Sequence, residues 1–234
     1  GQALVLRGWY YFLLVNLYGL PYNYGDPEEN LGVPLKLEME VTDAFYKRNT
    51  VAEVYAQIEK DLLEGIKLLD ENNISMSLYK ISPLAGKAML SRVYLYMGGL
   101  PDAPDMSYNK LAIAYADKVF EIQNDVVDIL REDGYKDLYR KDPKTNPEVL
   151  FAFNPANFPS DSPSYLHSYY SWSGFTDSKE EFPCPAVISE DYEKIMDKEK
   201  DLRWKYFTTP SIRHQGRYTT TKYDGGEFEL FPGF

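Results

Sequence analysis

The sequence predicts a mainly α protein, made of tetratricopeptide-like helical hairpins with long irregular loops and a little β structure. Three observations predict this class. Apolar residues recur at helical spacing in several segments of the first 125 residues. Helix start signals precede two of these segments, and glycine follows two of them. The end of the first segment, Tyr10–Gly19, is similar to the end of the third, Arg92–Gly98, which indicates a degenerate repeat.

Helical spacing is clearest in the first two segments. Apolar residues lie on every side of Leu4–Tyr18, so we expect a helix that neighbours bury all round and that ends at Gly19. The second helix follows Thr50-Val51-Ala52-Glu53, which has the pattern of a capping box, and its apolar spacing continues to Leu69. A long insertion rich in Tyr, Pro and acidic residues separates the two helices and interrupts the repeat.

A second helix pair is predicted further along the chain. Ser82-Pro83 opens a helix that ends at Gly98-Gly99, and another helix is expected over about Tyr108–Ile122. Small residues occur where these two helices must approach closely, and aromatic residues fill the remaining gaps. The small residues are Ala85, Ala88, Ala112 and Ala116.

Beyond residue 125 the sequence becomes irregular and rich in Pro, Ser and aromatic residues. A short buried strand is expected at Glu148–Phe153, a short helix at about Ser189–Lys200, and a hairpin that turns at Asp224–Gly226. No low-complexity linker divides the chain. We therefore predict one domain over residues 1–234, with a helical-hairpin scaffold over 1–125 and a loop-rich part carrying aromatic loops over 126–234.

Composition excludes several classes of function. The formal net charge of -11 disfavours nucleic acid as a partner, because binding phosphates requires clusters of Lys and Arg. One Cys excludes an internal disulfide, and two His leave little material for a zinc site. No stretch approaches a membrane span, and the first residues lack a signal-peptide pattern. We expect a piece of a longer chain, with any lipid anchor upstream of Gly1.

A search for catalytic chemistry gives no site. His167 adjoins Ser168, but sequence neighbours rarely form a nucleophile and base pair, and Cys184 has no histidine partner that the sequence suggests. Glu180-Glu181 lies in a charged run typical of a solvated turn rather than in a glycosidase pair. The acidic loop Gly25–Asn30 lacks EF-hand spacing, and phosphate-binding glycine motifs are absent. We predict no catalytic residue, no metal and no cofactor.

Aromatic residues crowd into the segment SYLHSYYSWSGF among serines, without the spacing of a helix or strand face. A Tyr or Trp on a loop offers a flat apolar ring with a polar edge, which complements the C–H face and hydroxyls of a sugar. The alternative is that these rings only fix a long loop to the scaffold. Trp172 is the best exposed candidate. The candidate glycan-binding residues are Tyr169, Tyr170, Trp172, Phe175, Tyr22 and Tyr24.

Several ordered motifs resemble the SusD/RagB family, outer-membrane glycan-binding lipoproteins of Bacteroidetes. They are RGWYYFLLVNLYG (Arg7–Gly19), LGVPL (Leu31–Leu35), VYAQIEKDLLEGIKLL (Val54–Leu69), KAMLSRVYLYMG (Lys87–Gly98), NPEVLFAF (Asn146–Phe153) and DLRW (Asp201–Trp204). The resemblance implies a tetratricopeptide-like scaffold, a surface location at the outer membrane through a lipid anchor outside this chain, and a SusC-like TonB-dependent transporter as partner. It also implies that the first helix ends at the loop-bearing edge of the scaffold. The family's N-terminal part with the lipidated cysteine, and its later helical part, are missing from this sequence.

The prediction is non-catalytic binding of oligosaccharide or polysaccharide at the cell surface for nutrient uptake, with delivery of the sugar to the transporter. Because members of the family vary their sugar-contacting residues, the candidate residues rest on the chemistry of the aromatic loops alone. The alternative is a tetratricopeptide-type adaptor that binds a protein or peptide. A lipobox cysteine in the precursor would favour the first function, and a cytosolic start would favour the second. A glycoside hydrolase would require two convergent carboxylates, which the sequence does not show.

Overall fold

The computed structural model describes residues 1–39, 45–100, 103–124, 134–135, 146–152, 187–211 and 215–220. The chain divides into two units, Gly1–Asn124 and Asp125–Phe234. The mainly α class and the tetratricopeptide-like character are confirmed. The single domain expected over residues 1–234, which would comprise both units, stays a prediction.

The first unit contains the four predicted helices, with small shifts at their ends. They are α1 (Gln2–Tyr18), α2 (Val51–Glu71), α3 (Pro83–Met97) and α4 (Met106–Phe120). Two short antiparallel strands, β1 (Gly99–Leu100) and β2 (Ala103–Pro104), connect α3 to α4. Ser82 caps α3 by accepting from the Ala85 backbone N–H, as the Ser-Pro signal predicts.

Helices α1 and α2 form a closely packed antiparallel hairpin. The start of α1 lies against the end of α2, where a Cβ built on Gly65 would stand 2.7 Å from a methyl carbon of Val5. The end of α1 lies against the start of α2, where Asn16 Nδ2 donates to the Tyr55 hydroxyl at 3.1 Å. Gly65 is therefore required for the close approach, because any side chain there would push the helices apart.

The next helices continue the same antiparallel arrangement. The Tyr94 hydroxyl of α3 donates to Glu59 Oε1 of α2 at 2.6 Å. The Ser91 hydroxyl of α3 donates to the Ala112 carbonyl oxygen of α4 at 2.8 Å. Of the predicted small contact residues, Ala85 and Ala112 are buried, whereas Ala88 and Ala116 are half-buried. The core runs through α1, α2 and α3, with these side chains wholly buried: Val5, Val15, Val51, Val54, Ile58, Leu62, Leu90 and Val93.

One ion pair lies inside the α1–α2 contact. Arg7 Nε and Nη2 donate to the two carboxylate oxygens of Asp61, both at 2.7 Å, and Gln57 Nε2 adds a hydrogen bond of 2.8 Å. The Asp61 side chain is 2% exposed and that of Arg7 is 35% exposed. The hydrogen bond to Asp61 raises the pKa of Arg7. Two parallel charge-assisted bonds satisfy a carboxylate that water cannot reach.

The prediction that neighbours bury α1 all round is wrong for the described residues. Helix α2 covers one side of α1, where Val5, Phe12 and Val15 are buried. On the opposite side Leu13, Leu14 and Leu17 are exposed to solvent. Apolar residues on both sides of a helix indicate that both sides are suited to packing against other elements. In the described part of the chain, only one of these two sides is packed.

The loop after α1 is fastened to the first turn of α2. The Val51 and Ala52 N–H groups donate to the carbonyl oxygens of Asn30 and Pro27, at 2.8 and 2.9 Å. The predicted capping box is present, because the Glu53 N–H donates to Thr50 Oγ1 at 3.1 Å and the Thr50 N–H donates to Glu53 Oε2 at 3.0 Å. Together these bonds satisfy helix N–H groups that have no partner within the helix.

Replacing Thr50 by Ala is expected to lower the free energy of unfolding by about 1 kcal/mol, because the Glu53 N–H loses its acceptor. Thr50→Ser, which keeps the hydroxyl, should unfold close to the wild type in urea titrations. Hydrogen bonds from Asn49 and then from the Thr50 backbone lower the pKa of Glu53 below its ordinary 4.5. The ionised carboxylate therefore contributes fully above pH 4.5, and its contribution is lost as pH falls through the lower folded-state pKa. A Thr50→Ala protein as stable as Thr50→Ser would contradict the capping role.

In the second unit the described elements are short. They are α5 (Glu190–Ile195), α6 (Leu202–Phe207), β3 (Thr208–Pro210) and β4 (Tyr218–Thr220). Strands β3 and β4 pair antiparallel, with Thr209 opposite Thr219. The hairpin predicted at Asp224–Gly226 lies outside the described residues.

Two predictions for the second unit need correction. Residues 148–152 of the predicted strand are turn and irregular backbone, and the Asn146 side chain accepts from the Glu148 N–H at 3.0 Å. The helix predicted to reach Lys200 ends at Ile195. Beyond it, Asp197 Oδ1 accepts from the N–H groups of Glu199 and Lys200, both at 3.1 Å. In both places a short polar side chain accepts hydrogen bonds from nearby backbone N–H groups. These bonds replace the regular backbone hydrogen bonds of a strand or helix.

Candidate functional site

Four of the six candidate residues, namely Tyr169, Tyr170, Trp172 and Phe175, lie outside the described residues. The other two, Tyr22 and Tyr24, lie in the loop between α1 and α2, and the structure gives them different environments. The two interpretations offered for these rings, ligand platform and loop anchor, can therefore be compared within one loop.

Tyr22 is a half-buried anchor. Its ring lies 4.9 Å from the ring of Tyr55 in α2 and 6.0 Å from that of Tyr108 in α4, measured between centroids. Burial, and then the hydrogen bond to the Tyr108 hydroxyl, raise the pKa of Tyr22. Because two neighbouring rings contact it, Tyr22 is packed against the helices. Tyr22 therefore fits the alternative interpretation, in which the ring fixes the loop to the scaffold.

Tyr22 belongs to a row of tyrosines that crosses the helices. Tyr94 lies 6.2 Å from Tyr108 and 5.7 Å from Tyr115, between ring centroids. Burial is the leading cause that raises the pKa of Tyr94 and Tyr115, and the hydrogen bond to Glu59 raises that of Tyr94 further. These phenols stay protonated at neutral pH. The row therefore stabilises the scaffold and supplies no general base.

Tyr24 is presented to solvent. Its side chain is 62% exposed. The backbone beneath it is fixed, because Asn30 Nδ2 donates to the Tyr24 carbonyl oxygen at 2.6 Å and the Tyr24 N–H donates to the Pro21 carbonyl oxygen at 3.0 Å. Gly25 follows with φ of 70°, a left-handed conformation that suits glycine. Of the two described candidates, Tyr24 is the one with an exposed ring.

We expect Tyr22→Ala and Tyr24→Ala to differ in stability. Loss of the Tyr22 ring removes two aromatic pairs, each worth about 0.5–1.5 kcal/mol beyond the burial of area. Tyr24→Ala should change the free energy of unfolding by less than about 0.5 kcal/mol, as for an exposed surface site. Chemical denaturation of the two variants checks this. Equal losses of stability would show that Tyr24 is also an anchor.

A shallow apolar groove of about 510 Å³ lies beside the same loop, lined by Leu14, Tyr18, Gly32, Val33, Pro34 and Arg48. Arg48 organises it, because Nε donates to the Gly32 carbonyl oxygen at 2.6 Å, and Nη2 donates to those of Leu31 and Tyr18 at 2.7 and 2.9 Å. The Tyr18 side chain beside it is 68% exposed. Sequence reasoning missed this groove. The sequence contains little sign of the groove, because Arg48 donates hydrogen bonds to carbonyl groups 16 to 30 residues away in the chain.

Metal binding finds no support in the described part of the chain, where no group of three or more His, Cys, Asp and Glu side chains could hold an ion. In the acidic loop, Asp26 Oδ1 accepts from the Glu28 N–H at 2.9 Å and so forms a turn within the loop. None of the described helices combines the length and apolar character needed to cross a membrane.

The helical scaffold is similar to known proteins. Residues 1–95, which include α1, α2 and most of α3, match a SusD-like family described as "Starch-binding associating with outer membrane". The fold of a SusD superfamily protein from Bacteroides thetaiotaomicron matches 98% of the chain with a TM-score of 0.73 at 23% sequence identity. Residues 1–95 are therefore similar in sequence to the SusD-like family. The family description names a binding role.

Other solved structures share the fold of this chain. One is described as a putative sugar binding protein from Bacteroides vulgatus, with 25% identity over 99% of the chain and a TM-score of 0.67. Another was crystallised with a xylogluco-oligosaccharide, with 20% identity over 96% of the chain and a TM-score of 0.65. The chain spans about half the length of these structures, namely 49%, 48% and 46% of the three named. No curated protein matches the sequence.

Proposed function

We propose that this protein binds oligosaccharides or polysaccharides at the cell surface and does not cleave them. The observation that carries the proposal is the SusD-like scaffold over residues 1–95. A structure of the same fold with a bound xylogluco-oligosaccharide supports glycan as the class of ligand. The identity of the sugar is left open.

The chemistry of binding would be ring stacking with hydrogen bonds to hydroxyl groups. Tyr24 offers an exposed ring on a fixed loop. If their segment is a stacking platform, further rings would come from Tyr169, Tyr170, Trp172 and Phe175. The tyrosines packed against other rings, Tyr22 among them, would support the loop rather than contact sugar.

The sugar would then pass to a SusC-like TonB-dependent transporter for nutrient uptake. A lipid anchor upstream of Gly1 would hold the protein at the outer membrane. Both parts of the proposal follow from the SusD/RagB resemblance, and the description of the matching family supports the location. A lipobox cysteine in the precursor, tested by metabolic labelling with a fatty acid, would support the anchor.

The test of function uses the full-length protein and a panel of neutral plant and storage polysaccharides. We expect retarded migration in gels containing at least one of them, and no release of reducing ends. Calorimetry at low and high salt should give similar affinities, because stacking and neutral hydroxyls are little screened. Product release that a single carboxylate substitution abolishes would contradict the proposal. So would failure to bind any glycan together with salt-sensitive binding of a peptide, which would indicate the adaptor.

A further inference from the structure

Arg48 brings a positive charge to the apolar groove beside the loop after α1. Its guanidinium donates to the carbonyl oxygens of Gly32, Leu31 and Tyr18. Because carbonyl groups are neutral, these bonds do not compensate the charge. Within the described ranges, no carboxylate forms an ion pair with Arg48. The groove therefore combines apolar walls with a permanent cation.

The hydrogen bonds of Arg48 leave one side of its guanidinium available to a ligand. An arginine side chain carries five N–H donors, one on Nε and two on each terminal nitrogen. Nε makes one bond to the backbone and Nη2 makes two, whereas Nη1 donates to no residue that the structure describes. Since the backbone already holds the guanidinium, a ligand that binds Nη1 does not have to immobilise the side chain.

The walls of the groove suit the ring of a sugar. Leu14, Val33 and Pro34 provide apolar contact for its C–H groups. The Tyr18 side chain, which is 68% exposed, adds an aromatic ring. The volume of about 510 Å³ falls in the range of roughly 300–1,000 Å³ that is common for small-ligand sites. The groove thus has the size and the contact surface for one unit of a glycan.

We propose that this groove binds a uronic acid unit of a glycan. The sugar carboxylate would accept hydrogen bonds from Arg48 Nη1, and the sugar ring would lie against Tyr18. A carboxylate both accepts these charge-assisted bonds and compensates the cation, whereas a neutral hydroxyl leaves the charge as it is. The inference rests on the proposed glycan binding and deepens it, since it names the chemical class of sugar for one part of the site.

The net charge of the protein restricts how the acid is carried. At -11, the chain repels a polymer that bears a carboxylate on every unit. A glycan with a neutral backbone and isolated uronic acid side units meets less repulsion and still presents a carboxylate to Arg48. An acidic peptide would offer the same charge, but its side chain has no C–H face that stacks on the Tyr18 ring. We therefore favour the glycan.

Matched glycans and the full-length protein test this proposal. Polysaccharides with isolated uronic acid side units, a glucuronoxylan among them, are each compared with a form whose carboxyl groups have been reduced to alcohols. We expect calorimetry at low salt to give at least one acidic form a Kd about tenfold lower than that of its reduced partner. This factor is the lower end for a hydrogen bond to a charged group. The preference should shrink at high salt, because the groove is open to solvent.

Three variants assign the preference to the groove. Arg48→Gln should bring the affinities of the acidic and reduced forms close together. Lys47→Gln removes an exposed charge that does not line the groove, and it should leave the preference unchanged. Leu14→Trp fills the groove without removing a hydrogen-bond partner of Arg48, so it should also abolish the preference. Leu14→Trp decides the test if Arg48→Gln fails to fold.

Equal affinities within every pair, with glycan binding retained, would overturn this proposal and leave the proposed function standing. A preference that survives in folded Arg48→Gln or in Leu14→Trp would overturn it too. If neither the acidic nor the reduced series binds at all, the proposed function fails together with this inference. A glutamate-rich peptide that requires Arg48 for binding, while no glycan pair shows a preference, would identify the groove as a peptide site instead.

Discussion

Arg7→Met should lower the free energy of unfolding by about 3 kcal/mol. Removing one partner of a buried ion pair costs about 3–5 kcal/mol, because it leaves an uncompensated charge. The lower end applies here, since Arg7 is 35% exposed and Gln57 still donates to the Asp61 carboxylate. Asp61 itself is 2% exposed, so water cannot replace the lost guanidinium. Urea denaturation followed by circular dichroism measures the loss.

The double variant Arg7→Met, Asp61→Leu is the matched control. Replacing both partners of a buried pair by apolar residues of similar size is often neutral or stabilising. We therefore expect the double variant to recover most of the stability that Arg7→Met loses. A double variant as unstable as the single one would mean that the Arg7 methylene groups, and not its charge, hold α1 against α2.

Trp172→Ala should weaken glycan binding by about 1–3 kcal/mol, the size of loss found for aromatic anchors at the centre of an interface. The reason is the loss of a flat ring that a sugar can stack on. Calorimetry on the full-length protein, with the best glycan from the panel, measures the affinity. Thermal melts of the same samples should show little change, because a ligand platform contributes little to the fold.

Trp204 provides the comparison for Trp172. Its ring is buried against Tyr218 at 4.8 Å between centroids, and the Lys198 ammonium lies 4.4 Å from its centre. Trp204→Ala should therefore lower the melting temperature. If Trp172→Ala behaves like Trp204→Ala, with a large fall in melting temperature and unchanged affinity, then Trp172 anchors its loop and the stacking platform lies elsewhere.

The helices were predictable because their signals are local. Thr50 and Glu53 lie within one helical turn, and each satisfies a backbone N–H of the other. Ser82 followed by Pro83 carries the same kind of information for α3. Such contacts involve neighbours in sequence, so a pattern of residue types is enough to place the start of a helix.

The candidate site was less predictable, because its geometry depends on residues far apart in the chain. Tyr22 and Tyr24 have the same side chain and lie two positions apart, so no residue pattern separates an anchor from an exposed ring. The distinction follows from where Tyr55 and Tyr108 lie after folding. The same holds for the strand predicted at Glu148–Phe153, where the Asn146 side chain competes for the backbone.

The fastening of the loop after α1 has a consequence for binding entropy. Tyr22 joins this loop to α2 and α4, while Asn30 fixes the backbone that carries Tyr24. The conformational freedom of the loop is therefore lost when the chain folds and not when a ligand arrives. Binding that must order a side chain or loop loses about 0.5–1.5 kcal/mol for each immobilised flexible side chain. A ligand that stacked on Tyr24 would therefore meet a loop backbone already held by these contacts, and its binding would not have to order that backbone.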